Sequence, residues 1–515
     1  MKGTAMKTPC LAAASLLLLA ALSATHAAEP VVRGPESVAD WQKAGAGFIA
    51  SGKALQDNTA RARNVIIFVG DGMGISTQTA ARIYEGQLKG MTGEENRLSF
   101  ETLPYSALSK TYSWDQQTSD SAPTATALFT GFKAREGMLS VDHTTARAEC
   151  DAAKVAARAL PSILELAAAN GRTTGVVSTA RLTHATPGAT YAHTPMRDWE
   201  ADTDIKVPGC GTKDIARQLI EASAAVRASL QVALGGGRTN FLPRTEADPE
   251  YPATKGRRGD GRNLTAEWVL TRGSAANPAA YVWNKAQFDA IDPARSGPVL
   301  GLFEPSHMQY EADRPTDPAG EPSLAEMTDK AIRLLQKSPN GYFLHVEGGR
   351  IDHAHHAGNA RRALVDTVAL SDAVRRAMAM TSEADTLIIV TADHSHTFTI
   401  AGYPGRGNPI LGLVRGVPEV DGQPIKPSAD SNGLPYTTLG YANGPGFRGG
   451  AGRPDLSSVD TTALNFLQEA TVPLASETHG GEDVGVWARG PKAYLVRGSM
   501  EQNWIFHVMR EAFGF

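Results

Sequence analysis

The feature that most constrains this chain is the alternation of short, continuous apolar runs with amphipathic segments. The apolar runs are bounded by turn residues and read NVIIFVG (64–70), TTGVVST (173–179), VALGGG (232–237), GYFLHVE (341–347) and TLIIVTAD (386–393). Helical patterns lie between them, at 160–171, 213–226 and 324–338. Strands that are apolar on both faces are typical of a parallel sheet under helices. The pattern therefore predicts an α/β fold with a large, mostly parallel central sheet flanked by helices on both faces.

Residues 1–27 have the composition of an export signal. Positively charged residues precede an apolar run at 11–22 that is too short to span a bilayer, and small residues follow it. Cleavage is expected after Ala27 or Ala28, and a buried N-terminal helix is the alternative interpretation. Export predicts a periplasmic or secreted protein, and the C-terminal sequence HVMREAFGF predicts no membrane anchor.

The chain of 515 residues is too long for one minimal domain, but length alone does not fix the number of domains, because α/β domains often grow large. An amphipathic helix is expected at 38–55. The segment 403–473 is rich in Gly, Pro and Asn and has weak periodicity, so we expect an excursion from the core with functional or subunit contacts. The net charge of −4 gives no reason to expect binding to nucleic acid.

Cysteine usage agrees with export. Cys10 lies in the predicted signal, so the mature chain keeps only Cys150 and Cys210. In an oxidising compartment this pair is expected to form one disulfide, and two buried free thiols are the alternative that the count leaves open. Cysteine is too scarce to supply the ligands of a metal site.

Acidic and histidine side chains follow the apolar runs at the points where strands end. They are Asp71, His184, Glu347, Asp352, His356, Asp393 and His394, and the hydroxyl residue Thr186 follows His184 by two positions. Ligands of open α/β sheets bind outside the carboxyl ends of the strands, so these side chains should meet at one edge. A lone histidine is usually structural, but hard and borderline ligands collected in one place predict a metal site.

The turn GDGMG (70–74) has a competing interpretation as a dinucleotide-binding fingerprint. Its spacing is Gly-x-Gly-x-Gly, which differs from that fingerprint. Asp71 inside the turn would also repel a pyrophosphate unless a cation lay between them. We therefore expect no dinucleotide cofactor at this turn.

Ser121 stands at the beginning of an Ala-rich helical segment within SDSAPTATALFTGF (119–132). The free amides and macrodipole of a helix N-terminus favour an anion beside the Ser121 hydroxyl. A simple N-cap role for Ser121 or Asp120 is commoner for such residues. Without the predicted metal site, the N-cap role would be the preferred interpretation.

Six motifs together closely resemble the alkaline phosphatase family. They are NVIIFVGDGMG, TSDSAPTATAL, RLTHATPGATYAHTPMRDW, FLHVEGGRIDHAHH, IIVTADHSHTF and ETHGGEDVGVWARGP. They occur in that family's order, and their details resemble its vertebrate branch. The resemblance implies an enzyme that hydrolyses phosphate monoesters, a homodimer, and one catalytic domain over 28–515 with 403–473 as its crown.

The resemblance also implies two Zn²⁺ and one Mg²⁺ per subunit. The implied ligands are Asp352, His356 and His479 for the first zinc, Asp71, Asp393 and His394 for the second, and Asp71, Thr186 and Glu347 for the magnesium. Ser121 matches the nucleophile, which takes the phosphoryl group as phosphoserine, and Arg197 matches the arginine that binds two phosphate oxygens. Two zinc ions suit in-line phosphoryl transfer, and a planar guanidinium suits the phosphate oxygens.

Further residues have secondary roles by resemblance. His184 and His353 are expected around the magnesium, acting through waters, and His396 is expected to bond a zinc-ligating carboxylate. A peripheral Ca²⁺ site is implied at Glu250, the Phe303 carbonyl, Glu304 and Glu321, although Glu321 stands where the family has Asp. Three solvated glutamates are the alternative there.

Other enzymes of the same superfamily hydrolyse phosphodiesters or sulfate esters, and they are the nearest alternative. They commonly use Thr or a modified Cys as nucleophile, whereas Ser121, Arg197 and the third-metal ligands favour monoesters. A non-catalytic relative that binds metal or phosphate is the second alternative. Every implied ligand is present, so the sequence contains no sign of such decay.

Overall fold

The computed structural model describes residues 36–449 and 452–515. The predicted signal, 1–27, therefore lies outside the described residues. The strands in chain order are β1 (Asn64–Gly70), β2 (Tyr105–Lys110), β3 (Thr173–Arg181), β4 (Leu230–Gly236), β5 (Ala280–Val282), β6 (Val299–Leu302), β7 (Tyr342–Gly348), β8 (Thr386–Ala392), β9 (Ser395–His396), β10 (Phe398–Ile400), β11 (Leu439–Gly444), β12 (Ala470–Pro473), β13 (His479–Gly480), β14 (Val484–Arg489) and β15 (Gly498–Glu501).

The α-helices pack mainly on the two faces of the large sheet. They are α1 (Val38–Ala54), α2 (Ile75–Leu88), α3 (Ser121–Thr130), α4 (Ala152–Ala157), α5 (Ile163–Ala169), α6 (Ala185–Gly188), α7 (Ile215–Ile220), α8 (Ala224–Ser229), α9 (Leu264–Thr271), α10 (Lys285–Ala290), α11 (Leu324–Leu335), α12 (Arg350–His356), α13 (Ala360–Met380) and α14 (Trp504–Phe513). Short 3-10 turns occupy Ser99–Thr102, Asp202–Asp204, Arg238–Asn240, Arg314–Thr316 and Ala493–Leu495.

Within the described residues, the large sheet has ten strands in the order β15-β2-β14-β8-β1-β7-β3-β4-β6-β5. Strand β14 runs antiparallel to both of its neighbours, and the other paired strands are parallel. The predicted α/β class and mostly parallel sheet are confirmed. The antiparallel strand was not predicted, because its short sequence lacks a distinctive pattern.

The central strand β1 shows why the sheet is covered on both faces. All of its residues are buried, and their side chains alternate between the faces. Val65, Ile67 and Val69 pack in one apolar core with α3, α5 and α14, whereas Ile66 and Phe68 pack in a second core with α11 and α13. Burial on both sides explains the continuous apolar run that the sequence shows.

One predicted helix is broken in the structure. The pattern at 213–226 indicates a single helix, but α7 ends at Ile220 and α8 begins at Ala224. Ser223 caps the second helix, since its side chain accepts a hydrogen bond from the Val226 N–H at 3.3 Å. Ser223 therefore begins a new helix, although the apolar periodicity of the sequence continues through this position.

The segment 403–473 contains two strands and otherwise irregular backbone in its described part. Strand β11 pairs with β10 in antiparallel fashion and with β12 in parallel fashion, which makes a small separate sheet. A further pair, β9 with β13, sets His479 opposite His396. These small sheets bring the end of the irregular segment back to the carboxyl edge of the large sheet.

Two other expectations concern the ends of the fold. Cys150 and Cys210 form a disulfide that closes a separation of 60 residues, so the free-thiol alternative is wrong. Among the described helices, none combines the length and the apolar character needed to cross a membrane.

Candidate metal centre

Four adjacent strands at the middle of the sheet deliver the candidate ligands. The order β8-β1-β7-β3 places their carboxyl ends side by side. Asp71 follows β1, Glu347 lies near the end of β7, and Asp393 follows β8. All three carboxylates are fully buried at 0 % exposure. The parallel topology therefore brings Asp71 beside two carboxylates that lie more than 270 residues further along the chain, because it aligns the strand ends.

The glycines of the turn after β1 allow close packing against β9. Gly72 has φ of +67°, and a Cβ atom there would lie 2.3 Å from His396 Nε2. A Cβ atom on Gly74 would lie 2.0 Å from Ser395 Oγ. The glycine spacing thus serves the approach of two backbone segments beside Asp71 and no nucleotide.

The first group of donors contains Asp352, His356 and His479. His479 Nε2 lies 3.1 Å from His356 Nε2, and each of these atoms lies 3.3 Å from Asp352 Oδ1. Donors on a tetrahedral zinc with bonds of about 2.0–2.1 Å are about 3.3–3.4 Å apart. The three atoms therefore have the separations that one zinc ion requires.

The second group surrounds the hydroxyl of Ser121. His394 Nε2 lies 3.4 Å from Asp71 Oδ1 and 3.3 Å from Asp393 Oδ2. Ser121 Oγ lies 3.0 Å from His394 Nε2 and 3.3 Å from Asp71 Oδ1. Ser121 is the first residue of α3, and Asp120 is its N-cap through a bond from the Ala122 N–H. Asp120 thus takes the capping role, and Ser121 is free to face the donors.

The third group lies between β7 and α6. A nitrogen of His184 and oxygens of Asp71 and Glu347 all lie within 4.8 Å of one another. Thr186 Oγ1 and Glu347 Oε1 are buried and have no hydrogen-bond partner among the described residues. The other oxygen of Glu347 accepts a hydrogen bond from Ser178, a residue that the sequence did not point to.

The electrostatics of these groups indicate missing positive charge. Burial, followed by Asp393 and the other nearby carboxylates, raises the pKa of Asp71 well above its ordinary value. Burial likewise raises the pKa of Glu347 to about 7 and that of Asp393 to about 6. Asp71 Oδ2 and Asp393 Oδ2 also lack partners among the described residues. Bound cations would reduce the repulsion between these carboxylates and would be coordinated by the buried oxygens that accept no hydrogen bond. The residues therefore fit the implied metals.

Arg197 lies beside this cluster on the side of Ser121. Its Nη1 donates to both carboxylate oxygens of Asp120, at 2.7 and 2.6 Å, and its Nη2 lies 2.8 Å from His184 Nε2. Burial opposes charge on Asp120, but Arg197 holds the pKa of that carboxyl below its ordinary value. The sequence did not indicate this pairing, which spans 77 residues and aims the guanidinium at the Ser121 end of α3.

Three histidines flank the third group. His184, His307 and His353 each offer a nitrogen within 4.8 Å of the others. The His307 and His353 ring centroids are 4.0 Å apart, and His307 also contacts Arg181. His184 and His353 thus lie where the sequence predicts them, whereas His307 was not predicted. Whether they act through waters stays a prediction.

The remaining histidines of these motifs are held by protein groups. His396 Nε2 lies 2.9 Å from Asp352 Oδ1, as expected for a residue that bonds a zinc-ligating carboxylate. His355 is buried between Thr77 Oγ1 at 2.9 Å and Tyr441 Oη at 2.8 Å, and so links α12 to β11.

The predicted calcium residues form a separate acidic cluster. Glu250, Glu304 and Asp317 offer oxygens within 4.8 Å of one another. Burial raises the pKa of Glu304 to about 7, and burial with Glu304 and Asp317 raises the pKa of Glu321 to about 9. Glu321 thus borders the cluster, and Phe303 is buried beside Glu304. Asp317 was not predicted, although it stands four residues before Glu321 in an acidic loop.

Comparison with known proteins agrees with this arrangement. A family sequence model described as "Alkaline phosphatase" matches residues 62–515. The tissue-nonspecific alkaline phosphatase of Gallus gallus is 46 % identical over 457 residues, which cover 88 % of this chain and 84 % of the relative. The alkaline phosphatase of Gadus morhua is 44 % identical over 462 residues, covering 88 % and 92 %.

Solved structures show the same architecture. The alkaline phosphatase of Thermus thermophilus superposes with a TM-score of 0.61 at 25 % identity, covering 89 % of this chain and 92 % of that one. The alkaline phosphatase of the Antarctic bacterium TAB5 gives a TM-score of 0.57 at 22 % identity, covering 89 % and 99 %, and so shows the fold alone.

Proposed function

The chain belongs to the alkaline phosphatase family, and from this membership we infer that it hydrolyses phosphate monoesters to an alcohol and inorganic phosphate. The observation that carries the inference is the position of Ser121. Its hydroxyl lies at a helix N-terminus, within 3.3 Å of Asp71 and His394 and beside two further donor groups. A nucleophile, an anion-binding helix end and metal donors are thus combined at one place.

We propose that the three donor groups hold two zinc ions and one magnesium ion. The first zinc is assigned to Asp352, His356 and His479, whose donor separations suit a tetrahedral ion. The second zinc is assigned to Asp71, Asp393 and His394, and the magnesium to Asp71, Thr186 and Glu347. The unpartnered buried oxygens support both assignments.

In the first half of the reaction, Ser121 Oγ attacks the phosphorus atom of the monoester. The bond from phosphorus to the ester oxygen breaks, and the phosphoryl group becomes phosphoserine. The Ser121 hydroxyl loses its proton in this step, and the leaving oxygen takes up a proton, so an alcohol is released. The metals, when bound, supply Lewis-acid stabilisation of the attacking and leaving oxygens. Arg197 binds oxygens of the transferring group with its planar fork, and Asp120 holds that fork in place.

In the second half, water attacks the phosphorus atom of phosphoserine, and the bond to Ser121 Oγ breaks. Inorganic phosphate is released and the serine hydroxyl is restored. Arg197 keeps its hold on the phosphoryl oxygens through both halves, because the nucleophile changes but the transferred group does not. Each half inverts the phosphorus, so the proposal predicts retention overall.

The test compares turnover of p-nitrophenyl phosphate with turnover of its bis ester. We expect the monoester to react faster than the bis ester. Activity should vanish on chelation and return when zinc and magnesium are added. In Ser121→Ala, kcat/KM should fall by at least about 10³-fold, on the order of the effect of removing a catalytic nucleophile. Ser109→Ala is the matched control, because Ser109 Oγ is also buried but has no partner among the described residues.

Three outcomes would contradict the proposal. Activity that survives in Ser121→Ala at the wild-type level would remove the phosphoserine mechanism. A faster reaction with the bis ester would assign the chain to the phosphodiesterases of the superfamily. Protein that binds metal but turns over no ester would leave the non-catalytic alternative.

The acidic cluster at Glu250, Glu304, Asp317 and Glu321 is proposed to bind one calcium ion. Oxygen-only donors suit calcium, and the raised pKa values of Glu304 and Glu321 indicate crowded carboxylates. Bound calcium should raise the melting temperature. A double variant, Glu304→Gln with Asp317→Asn, should lose that increase but keep the zinc content, and an unchanged calcium response would contradict the site.

We also propose a homodimer and export to the periplasm or the medium. The dimer proposal is supported by α1, whose residues are all exposed. Val38, Trp41 and Phe48 lie along one stripe of this helix and are 75 %, 62 % and 73 % exposed. Export is supported by the signal-like sequence at 1–27 and by the disulfide, which needs an oxidising compartment.

A further inference from the structure

Glu477 is a buried carboxylate beside the first donor group, and it is not one of the proposed ligands. Its side chain is 1 % exposed. Its Oε2 lies 2.5 Å from His396 Nδ1, and its Oε1 accepts hydrogen bonds from the Thr397 N–H at 2.7 Å and from Thr397 Oγ1 at 2.6 Å. A buried carboxylate satisfied on both oxygens is held in one orientation.

The imidazole of His396 connects Glu477 to a proposed ligand. His396 Nδ1 faces Glu477, and His396 Nε2 lies 2.9 Å from Asp352 Oδ1. Both ring nitrogens thus lie within hydrogen-bond distance of a carboxylate, so the ring bridges Glu477 and Asp352. Gly72 packs against the ring so closely that a Cβ atom there would overlap Nε2, so the ring can lie at this place only because residue 72 has no side chain.

The main chain of Glu477 contacts another proposed ligand of the same group. Its N–H donates to the His356 carbonyl at 2.9 Å, and its carbonyl accepts from His356 Nδ1 at 2.5 Å. The second bond leaves His356 Nε2 as the free nitrogen, which is the atom that faces Asp352 and His479. Glu477 therefore contacts, directly or through His396, two of the three proposed ligands.

We propose that Glu477 is a positioning residue for the first zinc. Its carboxylate fixes the ring of His396, and that ring directs one oxygen of Asp352 so that Asp352 and the two histidines converge on the ion. Outer partners of metal ligands commonly change metal affinity by about 10–100-fold when they are removed. The inference rests on the proposed zinc assignment, and it concerns the side chain only, because a substitution leaves the main-chain bonds to His356 available.

The geometry predicts a selective loss of metal. The second zinc group, at Asp71, Asp393 and His394, makes no contact with Glu477 among the hydrogen bonds of the described residues. In Glu477→Gln, one zinc per chain should therefore dissociate more readily, and the other zinc and the magnesium should stay. A residue that only stabilised the fold would weaken all sites together.

The experiment measures zinc per chain during titration with a chelator, in the holoenzyme and its variants. Glu477→Gln should lose its first zinc at a free zinc concentration about 10–100-fold higher than the wild type does. Its kcat/KM should fall at limiting zinc and recover with excess zinc. The melting temperature of the metal-free protein should match that of the metal-free wild type.

Two matched controls separate this role from general effects. Thr397→Val removes the hydroxyl that bonds Glu477 and leaves the His396 contact, so its zinc affinity should stay within about threefold of the wild type, below the effect of outer-shell loss. Glu85→Gln removes a carboxylate of similar burial, 4 % exposed, that bonds Asn96 and Arg375 away from the site. It should leave the zinc titration unchanged.

A double-variant comparison tests the route through His396. Glu477→Gln combined with His396→Ala should have the zinc affinity of His396→Ala alone, because both changes break the same chain of bonds. Additive losses would overturn the proposal. If Glu477→Gln fails to fold, Glu477→Asp keeps the charge but withdraws the carboxylate by one methylene, and the same selective loss is expected.

Results that overturn this inference differ from those that overturn the proposed function. Glu477→Gln that retains both zinc ions as tightly as the wild type would refute the positioning role. So would equal loss of both zinc ions with a lower melting temperature of the metal-free protein. A wild-type chain that binds no zinc would instead refute the zinc assignment itself.

Discussion

At the scale of single residues, the guanidinium of Arg197 bonds Asp120 and is also proposed to bind the phosphoryl group. Asp120 occupies Nη1 and His184 Nε2 lies 2.8 Å from Nη2, so the N–H groups that these two contacts leave over are the ones proposed to bind a phosphoryl group. In Arg197→Lys the planar fork is lost, and we expect kcat/KM for p-nitrophenyl phosphate to fall about 10–100-fold, with weaker inhibition by inorganic phosphate. Arg244→Lys, at an exposed arginine, should change neither constant. Unchanged phosphate inhibition in Arg197→Lys would contradict the role.

Asp366 is a buried carboxylate on α13 that is not one of the proposed ligands, and it is expected to make the stability depend on pH. Burial raises its pKa to about 8, from an ordinary value of 3.8. Between these values the folded state binds more protons than the unfolded state, so stability falls as pH rises. Asp366→Asn removes this penalty, and its oxygen can still accept from the Glu311 N–H.

The variant should therefore gain stability over the wild type at pH 9 and much less at pH 5. About 6 kcal/mol is an upper bound for the gain at pH 9, since one pKa unit corresponds to about 1.4 kcal/mol. The measurement is the melting temperature at both pH values. Asp372→Asn, on the same helix but about half exposed, should show no such pH dependence. A gain that is equal at both pH values would contradict the assignment to Asp366.

At the scale of elements, the turn between β1 and α2 packs so closely against His396 that it leaves no space for a side chain at position 72. Gly72→Ala places a Cβ atom on His396 and also forces Ala into the left-handed region. We expect activity to fall more than about tenfold, because displacing His396 frees Asp352 and metal affinity depends on such outer contacts. Gly261→Ala is the matched control, since φ there is +77° and nothing lies within 4 Å of the added carbon. Equal activity in the two variants would show that the clash is unimportant.

At the scale of the whole molecule, the disulfide stabilises the fold because it restricts the conformations that the unfolded chain can adopt. Cys150 and Cys210 are separated by 60 residues, and closing such a loop stabilises a protein by about 4 kcal/mol on the chain-entropy estimate. Replacing both cysteines by serine should lower the denaturant midpoint and leave kcat/KM unchanged at 25 °C. The unfolding curve measures this, and a loss below about 1 kcal/mol would contradict the estimate.

The exposed apolar stripe of α1 is proposed to form part of the dimer interface. If it packs on a second subunit, Trp41→Asp with Phe48→Asp should convert a dimer into a monomer, measured by light scattering after gel filtration. Leu270→Asp is the control, because Leu270 is 82 % exposed on α9 without a comparable stripe. A wild-type monomer, or a dimer that survives the double substitution, would contradict the interface.

The sequence by itself determined the elements and most of the site. The run at 64–70 predicted β1 to the residue, and Asp71, Glu347 and Asp393 were found because acidic side chains follow buried strands. His479 and Arg197 were found only by resemblance, since no strand end or helical spacing connects them to the other ligands.

Only the tertiary structure decided which side chains meet. The pairs Asp120–Arg197 and His396–Glu477 span 77 and 81 residues, and the exposure of α1 depends on what packs beside it. The helix break at Ser223 and the antiparallel direction of β14 were also not predicted from the sequence. Periodicity reports local backbone geometry, because it arises from the rise and turn of one element. Pairing depends on the path of the connecting loops, and that path is set by the packing of the whole chain.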